Sequence, residues 1–227
     1  MNLRKLFLTF LLVLISAVGA IAQTTQAAAP GLPDKLTTTE FARLINEFSE
    51  SGGDFLSDNL VSNETSYLYI LDKLKQLNVS GGAYIGVGPE QNFTYIAKLR
   101  PRIAFIVDIR RLAVIQHLMY KAVFHLSADR AQFLSRLLSR PLTKAKAPGA
   151  NASINELLEY FSRVPADEKL YTASLAEIRK MIQQEFLFQL SEADQKELEQ
   201  VFKSFREEGL EITFKLYNGW QNYFPTL

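Results

Sequence analysis

The sequence predicts an α/β fold, with a partial Rossmann-like (methyltransferase-like) parallel sheet and a large helical insertion. Two apolar runs, 82–87 and 102–108, are separated by a short amphipathic segment at 91–100, and a helical pattern follows the second run. The second run, "RIAFIVDI", is almost continuously apolar and rich in branched residues, which is typical of a strand buried on both faces of a parallel sheet. Alternation of strands and helices indicates a βαβ crossover. The insertion is an all-helical block over 127–208.

The first 36 residues predict export. Arg4 and Lys5 precede the apolar run "LFLTFLLVLISAVGAIA", and Ala20 and Ala22 form the small-x-small pattern of a cleavage site. We therefore expect a signal peptide over 1–22, a linker over 23–36 and a periplasmic or secreted protein. The alternative is that the apolar run stays in place as an N-terminal membrane anchor, which would be the protein's one contact with a membrane.

Composition excludes several classes of function. The chain has 25 basic and 24 acidic residues among 227, so no basic surplus points to nucleic acid as a partner. It has no cysteine, which excludes disulfides and thiol chemistry. Its two histidines, His117 and His125, are eight residues apart rather than three or four, so we expect core or surface histidines and no metal site.

Two helices precede the first strand. The first opens at Thr37, which has capping-box spacing to Glu40, and "SGGD" ends it. The second follows the polar turn "SDNLVSNE", is capped by Ser62 or Asn63 and ends at Asn78. Its apolar stripe is Tyr67, Ile70, Leu71, Leu74 and Leu77. These helices and the βαβ segment form an N-terminal unit over 37–126.

Four helices are expected in the helical block, each opened by a serine. They are 127–140 from Ser127, 153–161 from a capping box of Ser153 and Glu156, 174–190 from Ser174, and 191–208 from Ser191. Gly209 stands where a C-terminal cap is expected. Alternating apolar and polar residues then predict a third strand over 210–217, within a C-terminal segment over 209–227. We expect the aromatic cluster Tyr217, Trp220, Tyr223 and Phe224 to pack against the sheet or to be left exposed by truncation, with a binding platform as the alternative.

A glycine corner between the first strand and the next helix is the candidate binding site. Gly86 and Gly88 let a ligand approach the backbone, and Asp108, 22 residues after Gly86, ends the next strand, where an acid can bind ribose hydroxyls. Glu90 and Gln91, at the helix start, would line the pocket. The alternatives are a tight turn without a ligand, and an Asp108 that caps the next helix or pairs with Arg102, Arg110 or Arg111.

No catalytic residue can be named from the sequence. The nucleophile motif G-x-S-x-G is missing, and "GVGPEQNF" lacks the Gly-Lys-Ser/Thr ending of a phosphate-binding loop.

Residues 79–126 resemble the first βαβ unit of class I S-adenosylmethionine-dependent methyltransferases. The resemblance implies S-adenosylmethionine as cofactor, with Gly86, Gly88, Glu90 and Asp108 as its binding residues. The chain departs from that pattern in two places: Tyr84 stands where the first strand usually carries an acid, and Glu90 fills the third glycine position.

Longer stretches, "FSESGGDFLSDNLVSNE", "GGAYIGVGPEQNFTYIAKLRPRIAFIVDIRR" and "QHLMYKAVFHLSADRAQFLSRLLSR", resemble a family of uncharacterised, often exported bacterial proteins. Its members continue into further α/β elements, which implies that this chain is C-terminally truncated.

Three functional hypotheses follow. The first is a methyltransferase-like protein of unknown substrate, inactive if it is incomplete. The second is an exported, non-catalytic α/β protein that binds a small ligand or a partner. The third is a remnant of a longer gene. Export would separate the protein from cytoplasmic S-adenosylmethionine, which weighs against the first hypothesis. An exposed sheet edge also predicts self-association.

Overall fold

A computed structural model describes residues 35–50, 52–53, 55–143, 147–216 and 224–227. Residues Leu36–Leu227 form one compact unit. Its elements in chain order are α1 (Thr38–Phe48), α2 (Leu71–Gln76), β1 (Ala83–Val87), α3 (Gln91–Leu99), β2 (Ile103–Val107), α4 (Arg111–Leu126), α5 (Arg130–Leu137), α6 (Ile154–Arg163), α7 (Glu168–Lys180), a π-helical turn (Met181–Glu185), α8 (Glu192–Glu208) and a 3₁₀ turn (Gly209–Glu211).

The described residues form a mixed α/β architecture, mostly helical, with a small parallel sheet. β1 and β2 pair in parallel, in register from Ala83 opposite Ile103 to Val87 opposite Val107. α3 connects them, so the predicted βαβ unit is confirmed. Within the described ranges this sheet has two strands.

The expectation that the second run is buried on both faces is wrong. Ile85 and Val87 of β1 are 72% and 67% exposed, and Val107 of β2 is 48% exposed. Tyr84 and Gly86 lie on the other face of β1, where both meet Asn92 of α3. The apolar run therefore arises from a sheet whose one face is covered by α3, while no described helix lies across the other face. The exception is Phe48 at the end of α1, whose ring lies 6.3 Å from that of Phe105.

The third strand predicted over 210–217 is also wrong for the described residues. Gly209–Glu211 form a 3₁₀ turn, and the chain beyond makes two isolated antiparallel bridges, Thr213 to Thr226 and Leu216 to Ser57. Ile212 and Phe214 are 1% and 5% exposed. The alternating pattern arises because an extended segment turns every second side chain into the helical core, without joining the sheet.

The hydrophobic core lies between α4 and the helices of the block 127–208. α4 runs through its centre and packs most extensively on α8, and α5 and α7 close around them. The Tyr120 ring on α4 meets that of Phe205 on α8 at 5.8 Å, edge to face, and both residues are fully buried. The largest buried side chains are Tyr120, Phe161, Phe188, Phe202, Phe205, Ile115, Met119 and Leu198.

Helix starts show which capping predictions hold. Capping boxes at Thr37–Glu40 and Ser153–Glu156 are confirmed, and Ser191 caps α8 through a box with Asp194. Gly209 ends α8 with a φ of 58°, as expected. These predictions succeed because a cap and its partner lie within one helical turn.

Two other helix starts were predicted at the wrong serine. α5 begins after Asp129, whose carboxylate accepts the Gln132 N–H, while Ser127 ends α4. α7 begins after Asp167, and Ser174 lies inside the helix at 1% exposure. In each case an aspartate makes the capping hydrogen bond, and at Ser174 helix packing takes precedence over the serine's capping preference.

The predicted helix 174–190 ends earlier than expected, because α7 passes into the π-helical turn. The Phe186 N–H donates to the Met181 carbonyl, five residues back. This extra residue places Phe186 against α1, where its ring lies 6.2 Å from that of Phe41, and leaves Phe188 buried. The second helix is likewise shorter than expected: turns at 67–70 lead into the six-residue α2, and Asn78 has a φ of 51°. The prediction that Ser62 or Asn63 caps this helix is wrong, because Ile70 stands at the N-cap and makes no side-chain capping bond.

Several predictions lie outside the described residues. They are the signal peptide over 1–22, the linker up to residue 34, and Tyr217, Trp220 and Tyr223 of the aromatic cluster. Of the helices that the structure describes, none combines the length and the apolar character needed to cross a membrane.

Candidate functional site

The corner after β1 is held by a single asparagine. Asn92, in the first turn of α3 and 1% exposed, donates from Nδ2 to the carbonyl oxygens of Val87 (3.1 Å), Gly88 (2.9 Å) and Pro89 (2.9 Å). Its Oδ1 accepts the Tyr84 hydroxyl at 2.7 Å. These bonds satisfy carbonyls that the strand leaves without sheet partners where it ends.

Gly86 has no side chain because Asn92 occupies the space. A Cβ placed on Gly86 would lie 1.9 Å from Asn92 Oδ1 and 2.6 Å from the Tyr84 hydroxyl. The close approach that the sequence assigned to a ligand is therefore made by the chain's own side chains. Gly88 has a φ of +87°, a conformation that glycine adopts without steric cost.

His117 of α4 reaches the corner from the side. Its Nε2 lies 3.0 Å from the Gly88 carbonyl oxygen, so Nε2 carries the proton and Nδ1 is an acceptor in the neutral ring. Nδ1 is buried and has no hydrogen-bond partner among the described residues. Burial lowers the pKa of His117, which outweighs the bond to Gly88 and favours the neutral ring at pH 7.

The side chain of Gln91, one residue before Asn92, also has a bonded donor and an unpartnered acceptor. Its Nε2 donates to the Val87 carbonyl at 3.1 Å, which leaves Oε1 as the acceptor. Oε1 is also buried, and it has no partner in the part of the chain that the structure describes. Six other buried side-chain atoms of the described residues also have no hydrogen-bond partner, so what distinguishes these two acceptors is that both lie beside one glycine turn.

Glu90 faces the segment that precedes α2. Both of its carboxylate oxygens accept the Ser62 N–H, at 2.9 Å and 3.2 Å. Burial raises the pKa of the Glu90 carboxyl, and the hydrogen bonds from the Ser62 N–H and from the backbone N–H of Glu90 itself only partly offset this. With two backbone donors for two oxygens, the carboxylate keeps further acceptor capacity.

Asp108 ends β2 in a tight pair with Arg110. Oδ1 accepts from Arg110 Nε (2.9 Å) and from the Arg110 backbone N–H (3.0 Å), and Oδ2 accepts from Nη2 (2.7 Å). The two side chains are 8% and 9% exposed. Burial acts to raise the pKa of Asp108, but the hydrogen bonds and charge of Arg110 more than offset this, so the pKa lies below its usual value. The sequence-based alternative that Asp108 pairs with Arg110 is confirmed.

The segment 57–62 crosses the carboxyl ends of both strands and is bonded from three sides. Arg110 Nη1 donates to the carbonyl oxygens of Ser57 (3.4 Å) and Asp58, and Gln116 Nε2 donates to the Leu60 carbonyl at 2.6 Å. The third bond is the one between Ser62 and Glu90. The sequence favours helix capping for this stretch, with Asn59 and Glu64 reaching into a cleft as the alternative. Its run of polar residues without apolar periodicity is the signal for a segment bonded in this way.

The structure brings most of the predicted site residues to one end of the sheet. His117 contacts the Gly88 carbonyl and is close enough to Asp108 to feel its charge, and Glu90 and Gln91 lie at the adjoining start of α3. Gly86 lies beneath Asn92. The sequence did not identify Asn92, Gln116 or the acceptor role of His117.

Acceptors predominate among the unused hydrogen-bonding groups of this corner. The described donor groups of Asn92, Gln91, Gln116 and Arg110 are bonded to backbone carbonyls or to Asp108. The unused acceptors are His117 Nδ1, Gln91 Oε1 and the carboxylate of Glu90, and the Asn59 amide Nδ2, 3.9 Å from the Cβ position of Gly88, adds one donor group. Such a corner suits a ligand that donates hydrogen bonds, such as a hydroxyl or an ammonium group, better than one that accepts them, such as a phosphate.

Metal binding gains no support from the described ranges, in which no three His, Cys, Asp or Glu side chains are grouped as metal ligands. A family model described as a domain of unknown function, DUF7790, matches residues 59–212, more than half of the chain. Comparison with curated proteins gives no match. The matched region begins within the segment that crosses the strand ends and includes every corner residue from Leu60 to Tyr120.

Proposed function

We propose that this chain, which belongs to the DUF7790 family, binds a small nucleoside-type ligand at the carboxyl ends of β1 and β2. Ligands of open parallel sheets bind beyond the carboxyl ends of the strands, which is where this corner lies. The observation that carries the proposal is the pair of buried acceptors, His117 Nδ1 and Gln91 Oε1, left without partners beside Gly88.

S-adenosylmethionine is the first candidate ligand. It presents two ribose hydroxyls, an ammonium group and a sulfonium, which favour acceptors or negative charge, and one carboxylate, which needs a donor such as Asn59 Nδ2. The acceptor set of Glu90, Gln91, Asp108 and His117 suits the first four groups. A dinucleotide such as NAD is disfavoured, because its pyrophosphate needs several donors and those of Gln91, Asn92 and Arg110 are already bonded.

The residues of the corner take different roles in this proposal. Gly88 supplies the positive φ of the turn, and Gln91 Nε2 takes the space beside it, 3.0 Å from where a Cβ would lie. Glu90 accepts from ligand hydroxyl or ammonium groups. Asp108 Oδ2, which accepts one described hydrogen bond, has capacity for a ribose hydroxyl once the pair with Arg110 adjusts. Gly86 serves the ligand only indirectly, by admitting Asn92, which fixes the carbonyls of the turn.

The proposal is for binding, in a Rossmann-like, methyltransferase-like architecture. Bound S-adenosylmethionine would supply a transferable methyl group, but the corner offers no residue whose geometry marks it as the base for a methyl acceptor. A second function, binding of a protein partner, is favoured by a separate observation, the uncovered apolar face of the sheet.

Calorimetric titration tests the binding proposal. The full chain is titrated with S-adenosylmethionine and, separately, with NAD. Glu90→Gln keeps an oxygen for the Ser62 N–H but removes the charge. Glu177→Gln is the matched control, because Glu177 pairs with Arg136 in the helical block, and its side chain is 51% exposed.

We expect S-adenosylmethionine to bind the wild type and the Glu177→Gln control equally, and Glu90→Gln at least tenfold more weakly, with no heat from NAD. Far-UV circular dichroism checks that each variant is folded. Absence of heat at millimolar S-adenosylmethionine, or equal affinities for the two variants, would overturn the proposal.

A further inference from the structure

One face of the sheet carries a continuous set of exposed apolar side chains. Ile85 and Val87 on β1 and Val107 on β2 are 72%, 67% and 48% exposed, and Ile109, in the bend that follows β2, is 61% exposed. Phe48, at the end of α1, borders them at 66%. These five residues are referred to below as the open face.

The strand register explains why these side chains lie together. In a parallel pair, residues opposite each other project to the same side of the sheet, and Val87 is opposite Val107 while Ile85 is opposite Phe105. Tyr84 and Gly86 alternate with them and face α3. The open face is thus the side of the sheet opposite α3, and Phe48 covers only the part next to Phe105.

A parallel sheet that exposes large apolar side chains on one face is an unusual arrangement in water. Parallel strands are nearly always covered on both faces, and exposed strands usually carry a charged residue or a proline that discourages association. β1 (AYIGV) and β2 (IAFIV) contain neither. Together the five side chains expose on the order of 600 Å², the upper end for the largest apolar patch on a typical monomer.

We propose that the open face is the contact surface between two copies of this chain. Its size approaches the roughly 800 Å² that each partner contributes to a standard interface. The surface is self-complementary in charge, since none of its five residues is ionised, and the chain's net charge of +1 gives little repulsion between copies. A two-fold axis across this face joins the same patch on both subunits and gives a closed dimer.

This surface is separate from the proposed ligand corner. Gly86, beneath Asn92, lies on the α3 side of β1, whereas Ile85 and Val87 project to the other side. Association of two copies through the open face therefore leaves Glu90 and His117 in place, and failure of ligand binding would not bear on dimer formation.

Sedimentation velocity on the full chain, over a concentration series from about 1 to 100 μM, tests the proposal. Ile85→Glu places a charge on the open face at a position already 72% exposed, so the fold of one subunit should tolerate it. Ile154→Glu is the matched control: Ile154 is 65% exposed at the start of α6, where an acid suits the helix. Val107→Glu is a second open-face variant, and circular dichroism reports whether each variant is folded.

We expect the wild type and Ile154→Glu to give a sedimentation coefficient that corresponds to twice the mass of one chain. Ile85→Glu and Val107→Glu should each raise the dissociation constant of the dimer at least tenfold. A wild type that stays monomeric at 100 μM would overturn the proposal. So would assemblies that keep growing with concentration, or folded Ile85→Glu and Ile154→Glu variants that associate equally.

Discussion

Replacing Gly86 by alanine tests whether this glycine serves Asn92. The new methyl group would lie 1.9 Å from Asn92 Oδ1, so the Asn92 side chain must leave its position. Its Nδ2, with two hydrogens, would release the carbonyls at the end of β1, and Oδ1 would release the Tyr84 hydroxyl. Three hydrogen bonds at about 1 kcal/mol each give a loss of about 3 kcal/mol in the free energy of unfolding.

Gly86→Ala should lower the free energy of unfolding much less in a protein that lacks the Asn92 side chain. In an Asn92→Ala background the methyl group of Gly86→Ala meets only the far end of Tyr84, which can move aside. We therefore expect Gly86→Ala to cost below about 1 kcal/mol there, and the double-mutant cycle to give a coupling of about 2 kcal/mol. Gly149→Ala is the control glycine, because a Cβ at that position meets no atom within 4 Å.

Urea unfolding followed by circular dichroism measures all five proteins, with the m-value checked for two-state behaviour. The reasoning is refuted if Gly86→Ala costs the same with and without Asn92. It is also refuted if Gly149→Ala is as damaging as Gly86→Ala, since the effect would then belong to any glycine replacement.

Two further predictions concern a helix cap and a buried histidine. Ser153→Ala, which removes a capping box, should lower the free energy of unfolding by about 1 kcal/mol, whereas Ser162→Ala, late in the same helix, should change it little in urea unfolding. For His117 the pKa in the folded state lies below the ordinary value of 6.5. Its contribution to stability is therefore complete above pH 6.5 and is lost as the pH falls through the folded-state pKa. Between pH 7.5 and 5.5 the wild type should lose more stability than His117→Gln, whose amide can still donate to Gly88; parallel pH profiles would contradict this.

Short-range features of the fold were predictable from the sequence. Thr37 with Glu40 and Ser153 with Glu156 are three residues apart, so the chemistry of the cap is complete within one turn. The order of two strands around a helix was predictable for a similar reason, because each change of periodicity is local. Asp108 and Arg110, two residues apart, were already one of the sequence-based alternatives.

The rest of the corner depends on residues far apart in the chain. Ser62 and Glu90 are 28 residues apart, and Leu60 and Gln116 are 56 apart, so no spacing rule identifies these pairs. The prediction of a third strand over 210–217 was wrong for a different reason. Alternation at Ile212 and Phe214 reports that one side of the segment is buried, but it does not say whether a sheet or a set of helices buries it.

The π-helical turn after α7 has a consequence for how this protein tolerates changes in length. An ordinary helix closes each turn with a bond between residues four apart, whereas this turn closes with a bond between residues five apart, so it holds one residue more. Loss of one residue between Met181 and Glu185 would therefore let the turn relax to an ordinary helix while Phe186 stays beside Phe41. The same loss within the regular part of α7 has no extra residue to absorb it, and would rotate one side of the helix against the other by about 100°. Natural variants of this chain should therefore tolerate a one-residue deletion at the π-helical turn better than one earlier in α7.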